Sequence, residues 1–140
     1  MTHQPLLAIH PAFDEASIGQ LVRIFYGRAR ADEVIGPIFA DAVSDWDVHI
    51  GRIADFWSSV LLRTGRYDGR PMRPHLILPL EERHFDRWLA LFESTAREIY
   101  PADAAMLVIE RARRIADSFE MAIGVQRGEI RRPRHAGGAQ

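Results

Sequence analysis

The sequence predicts an all-α domain, and three observations carry that reading. Four stretches place apolar residues at steps of three and four. No stretch alternates apolar and polar residues as a half-buried strand would. The breaks between stretches hold Gly, Pro and residues that cap helices. A chain of 140 residues has the size of one ordinary domain, able to bury about two thirds of its unfolded surface around a single core.

In the first stretch, from about Asp14 to Ala31, Ile18, Leu21, Val22, Phe25, Tyr26 and Ala29 share a face, and Asp14 is positioned as N-cap. Asp32 to Pro37 breaks the pattern, because Gly36 and Pro37 cannot continue a regular helix cheaply, and a short turn carrying Ile38 and Phe39 follows. Ser44 or Asp45 caps a second long helix with His49, Ile53, Phe56, Trp57 and Val60 on one face and Arg52, Asp55 and Ser59 off it. Gly65, Gly69, Pro71, Pro74 and Pro79 then limit the span from Thr64 to Pro79 to a turn or two of helix. A third helix runs from about Glu81 to Tyr100 with Phe85, Trp88, Leu89, Phe92, Ala96 and Ile99 inward. A fourth carries Val108, Ala112, Ile115, Phe119, Ala122 and Ile123. These elements make residues 14–125 one domain, preceded by an extension over 1–13 and followed by an arginine-rich tail over 126–140 that is expected to be disordered.

Composition removes several classes of function. With no cysteine, thiolate zinc sites, iron–sulfur clusters, cysteine nucleophiles and covalently attached haem are excluded. Eighteen arginines, no lysine and 19 carboxylates give a net charge of −1, so a general basic surface for nucleic acid is not expected. The longest apolar run, Ala104 to Ile109, has six residues against the roughly 20 of a membrane-spanning helix. Met1 to Phe13 lacks the basic start and long apolar stretch of a secretory signal, so a cytoplasmic location is expected. Gly-rich phosphate loops, a Gly-x-Ser-x-Gly elbow and a His-Glu-x-x-His zinc pattern are all missing.

Six histidines remain as candidates. His3, His10 and His135 lie near the ends and read as solvated, and Glu81-x-x-His84 reads as a surface pair near a helix start rather than half of a di-iron site. His49 lies on an apolar helix face, where a hydrogen-bonded core histidine is the commoner explanation. His75, between Pro74 and the apolar Leu76, Ile77 and Leu78, suits a single axial metal bond. Tyr26, Trp57 and Trp88 each bring a polar hydrogen that needs a partner if buried. From the residues alone, three readings stay open: a cofactor site with one histidine ligand, a helical interaction module without cofactor, and a bundle holding a non-haem metal.

The ordered string Phe25-Tyr26, Ile35-Gly36-Pro37-Ile38-Phe39, Trp46, His49, Phe56-Trp57, Tyr67, Gly69, His75, His84-Phe85, Arg87-Trp88-Leu89 and Leu91-Phe92 resembles the truncated haemoglobins, most of all their third group. The resemblance covers about residues 14 to 125. It implies a globin-like fold, a two-over-two helical sandwich around a non-covalent haem b. His75 then takes the place of the proximal iron ligand, Phe39 packs against the porphyrin, and Tyr26, His49 and Trp88 take the distal places. Ile53, Phe56 and Trp57 line the pocket, while Arg52 or Arg73 reaches a propionate.

Under that resemblance, neutral imidazole leaves one axial position open for dioxygen, nitric oxide or carbon monoxide. The Tyr26 phenol and the Trp88 indole would retain dioxygen better than carbon monoxide, because dioxygen accepts hydrogen bonds more strongly. Firm retention suits nitric oxide oxidation or peroxide chemistry, with an unidentified reductase as partner, better than bulk oxygen transport.

Overall fold

A computed structural model describes residues 9–65, 80–126 and 128. Five helices occupy them: α1 (Glu15–Ala31), α2 (Gly36–Ala42), α3 (Trp46–Leu62), α4 (Glu82–Ile99) and α5 (Ala102–Gln126). No strand occurs among the described residues. The segment with His75, and the expected tail apart from Gln126, which ends α5, and Gly128, lie outside the described residues.

Helix α1 begins where the sequence places it. The Asp14 carboxylate accepts from the Ser17 N–H at 2.7 Å, and the Ser17 hydroxyl accepts from the Asp14 N–H at 3.2 Å. This reciprocal pair satisfies donors that the first helical turn leaves over. At the other end, Asp32 accepts from the N–H groups of Val34 and Ile35 at 2.9 and 3.1 Å and turns the chain into α2. Its second carboxylate oxygen accepts from Arg87 of α4 at 2.6 Å, tying that corner to the far helix pair.

The turn expected at Ile38 and Phe39 is instead a helix of seven residues. Gly36 and Pro37 end one pattern and start another: a proline in the first turn gives up an N–H that has no helical partner there. Gly36 is required by proximity, since a Cβ at this position would lie 2.6 Å from the Arg30 carbonyl oxygen. Asp45, of the two expected caps, accepts from the Val48 N–H at 3.2 Å and opens α3. Helix α3 stops at Arg63, which adopts a left-handed φ of 59°.

His10 is not solvated. Its Nδ1 accepts from the Ala12 N–H at 3.0 Å, and its Nε2 pairs with Asp103 at 2.9 Å. Phe13 beside it is buried and meets Tyr100 edge-on, the centroids 5.1 Å apart. Both contacts fasten the chain ahead of α1 to the junction of α4 and α5.

The helices form two pairs, α1 against α3 and α4 against α5, and α1 also packs on α4. This is the two-over-two helical sandwich that the resemblance implies. Its centre is aromatic. Phe92 stacks with both Trp57 and Trp88, at centroid distances of 5.2 and 5.3 Å, and Phe25 meets Trp88 and Phe92 edge-on. Phe25 and Phe92 are wholly buried, each contributing about 1.5–3 kcal/mol from apolar burial. Stacking on Phe92 leaves the Trp88 indole little freedom to turn. No described helix is long and apolar enough to cross a membrane.

Candidate functional site

A cavity of about 920 Å³ opens between the five helices, within the range of sites for small molecules and cofactors. Tyr26, Phe39, His49, Arg52, Ile53, Phe56, Trp57 and Trp88 all line it. Eight positions chosen from the sequence therefore meet in one space. His75 and Arg73 lie outside the described residues. Leu80, five positions after His75, forms part of the wall.

Each lining side chain is delivered by the local structure that precedes it. Tyr26 sits on the inward stripe of α1, one turn before Ala29 and the Asp32 corner. Phe39 arrives on α2, and its ring meets Tyr26 edge-on at 5.9 Å. His49, in the first turn of α3, packs perpendicular to Tyr26 at 5.9 Å and to Trp46 at 5.5 Å. Trp46 also meets Phe39 at 6.1 Å, and its outer face carries the Arg30 guanidinium at 4.3 Å. Two edge-on neighbours fix the plane of the His49 ring.

The inner end of the cavity buries the Tyr26 side chain. Burial pushes the Tyr26 phenol up to about 12, and the Trp88 indole works against that rise. Indole only donates, so in any hydrogen bond between the two the phenol oxygen is the acceptor and its own O–H is left for another partner. The mouth is polar, with Asp41, Ser44, Asp45 and Arg52 on its rim. Arg52 is exposed and makes no ion pair with a described residue.

One residue needs correction. His84 is not part of a surface pair, being only 5 % exposed and part of the cavity wall. Glu81 is the N-cap of α4, not a residue within it, and the Glu81 N–H donates to His84 Nδ1 at 2.8 Å. Burial among apolar neighbours lowers the His84 pKa, assisted by Arg83 and opposed by Glu81.

The wall also includes Phe85 of α4 and Ile115, Ala116 and Phe119 of α5. The sequence marks Phe85, Ile115 and Phe119 as core, and periodicity carries no signal that separates a core face from a cavity face. No group of three or more His, Asp or Glu residues suited to a metal ion occurs among the described residues.

No family model matches the chain. A search of curated proteins finds a group 3 truncated haemoglobin, ctb, from Campylobacter jejuni, 36% identical over 112 residues that cover 76% of this chain and 88% of the relative. Among solved structures, the crystal structure of a group III truncated haemoglobin from Campylobacter jejuni superposes with a TM-score of 0.76 at 35% identity. That match covers 83% of this chain and 95% of the other.

Proposed function

The chain belongs to the group III truncated haemoglobins, and on that premise we propose that its cavity holds a non-covalent haem b at which dioxygen, nitric oxide and carbon monoxide bind reversibly. The observation that carries this reading is the convergence of Tyr26, His49 and Trp88 on one apolar cavity of about 920 Å³. The residues present fit the group. The walls are largely aliphatic and aromatic, a guanidinium stands at the rim, and polar hydrogens occur at few, specific points. When bound, haem would supply iron able to take up a diatomic gas.

His75 is the proposed proximal ligand, supported by its proline-framed context and by the place of Leu80 in the cavity wall. Phe39, Ile53, Phe56 and Trp57 pack against the ring, while Arg52, with Arg73, balances the propionates. Tyr26 gives its O–H to the gas ligand, and Trp88 holds the phenol in the orientation that allows it. A donor to a polarised acceptor contributes about 1.5–3 kcal/mol, or roughly ten- to hundredfold in release rate. Retention on that scale favours nitric oxide or peroxide detoxification, with electrons from a separate reductase, over bulk oxygen carriage. Residues 14–125 form the globin domain in this reading.

Absorption spectra of protein purified with added haem test it. A Soret band is expected, with a ferrous spectrum that shifts reversibly on adding oxygen. His75→Gly should lose the band or weaken it severely, and added imidazole should restore it. Colourless wild-type protein after haem addition would leave a helical module without cofactor.

A further inference from the structure

His84 carries a polar hydrogen for which the described residues supply no acceptor. Its side chain is buried and faces the cavity. Nδ1 is already engaged as acceptor of the Glu81 N–H at 2.8 Å, so that nitrogen cannot also hold the ring proton. The neutral ring therefore keeps its proton on Nε2. A buried N–H without an acceptor costs about as much as a lost hydrogen bond, and burial already disfavours a second proton on the ring.

The pinned tautomer also decides what His84 can do. Coordination through Nε2 would require that nitrogen to be bare, moving the proton to Nδ1 and breaking the bond that caps α4. Donation requires no rearrangement. On a haem the ring nitrogens are occupied by iron, and the gas ligand belongs to Tyr26, which leaves the propionate carboxylates as acceptors. We propose that His84 Nε2–H is a hydrogen-bond donor to a propionate of the bound porphyrin, a second anchor set apart from Arg52 on α3. This rests on the haem reading above and adds to it a residue whose role the Glu-x-x-His spacing concealed.

The test compares haem with its dimethyl ester, whose propionates are capped, in wild-type protein and His84→Phe. Transfer to a haem scavenger is timed in each case. In wild-type protein the ester is expected to leave at least about fivefold faster than haem, within the range for a hydrogen bond to a charged group. In His84→Phe that ratio should fall at least about threefold, whatever the variant does to overall stability, because general loosening accelerates both porphyrins alike. An unchanged ratio overturns the proposal.

In the unmodified protein, the His84 Nε2 proton should exchange slowly with haem bound and quickly with the ester bound, as read by nitrogen-15 NMR. Equal exchange in the two forms also overturns the proposal. If haem binds while either measurement goes against His84, the haem reading stands and the anchor falls; if no Soret band forms, both fall.

Discussion

The Trp88 indole is near enough to the Tyr26 phenol to oppose the rise that burial imposes on its pKa, and in the proposed haem site the two would then act in series rather than as two parallel donors. The sequence suggested parallel roles, because each residue alone has a hydrogen to give. Packing brings both rings against Phe25, with Trp88 stacked on Phe92 and Tyr26 held between Phe25, Phe39 and His49.

Series coupling makes a kinetic prediction. Tyr26→Phe should accelerate oxygen release about tenfold or more, while carbon monoxide release changes little. Trp88→Phe should act in the same direction but less, and the double variant should release oxygen about as fast as Tyr26→Phe alone. Stopped-flow release rates read all four proteins. Additive effects would mean that the indole reaches the ligand independently.

The same pair has a signature in the protein without gas. Tyr26 is pushed up to about 12 by burial, with the Trp88 indole pulling back. Trp88→Phe should move the Tyr26 tyrosinate transition, followed at 295 nm by difference from Tyr26→Phe, to still higher pH. The raised folded value also fixes the sign of the linkage. Stability from Tyr26 is fully present below the unfolded value near 10 and is lost as pH rises from there towards 12. Wild-type protein should therefore lose stability more steeply over that interval than Tyr26→Phe.

A half-buried ion pair joins the two helix pairs. Asp32, its side chain 4 % exposed, accepts from Arg87 and from two backbone N–H groups. Burial alone would raise its pKa, but these three donors outweigh burial and hold the carboxyl below the usual range. Arg87→Ala should cost about 1–3 kcal/mol, the penalty for leaving a buried acceptor underpaired, measured by urea unfolding at pH 7. A lowered folded pKa means that this stability is present above the unfolded value and disappears as pH falls through the folded one. Asp32→Asn should accordingly flatten the acid limb of the unfolding profile, and a limb of unchanged slope would exclude Asp32 from acid sensitivity.

Local chemistry was legible where it repeats over many residues. The stripe from Ile18 to Ala29, the Asp14 cap and the shared face of His49, Ile53, Phe56 and Trp57 all follow from spacing, because an amphipathic helix must bury one face. What stayed hidden depends on a single residue's exact helical position. His84 read as a surface partner of Glu81 because both were placed inside a helix. With Glu81 as N-cap, His84 becomes the third helical residue, and its ring turns back to the cap instead of outward. Helix ends are the least determined feature of a periodic pattern, and here one position separates a surface pair from a buried donor. Helix α2 was missed for a related reason: seven residues are too few to show a period, and its opening Gly-Pro is as much a start signal as a stop.

Gly36 gives the sharpest test of how α2 shapes the cavity. Replacing glycine by alanine commonly stabilises by about 0.4–1 kcal/mol through the unfolded chain. Here the new Cβ would lie 2.6 Å from the Arg30 carbonyl oxygen and 3.4 Å from that of Ala29. Neither neighbour is a side-chain tip that can swing aside, so backbone must move, at a cost of about 1–3 kcal/mol. The cost exceeds the gain, and Gly36→Ala should lower stability in urea unfolding. The displacement should also reach the cavity, because Pro37, Ile38 and Phe39 follow directly and all line it. Haem loss should therefore accelerate in Gly36→Ala, whereas Gly51→Ala, on the exposed face of α3 where an added Cβ meets nothing within 4 Å, should leave haem loss unchanged. Equal haem retention in the two variants would show that α2 can shift without deforming the wall it supplies.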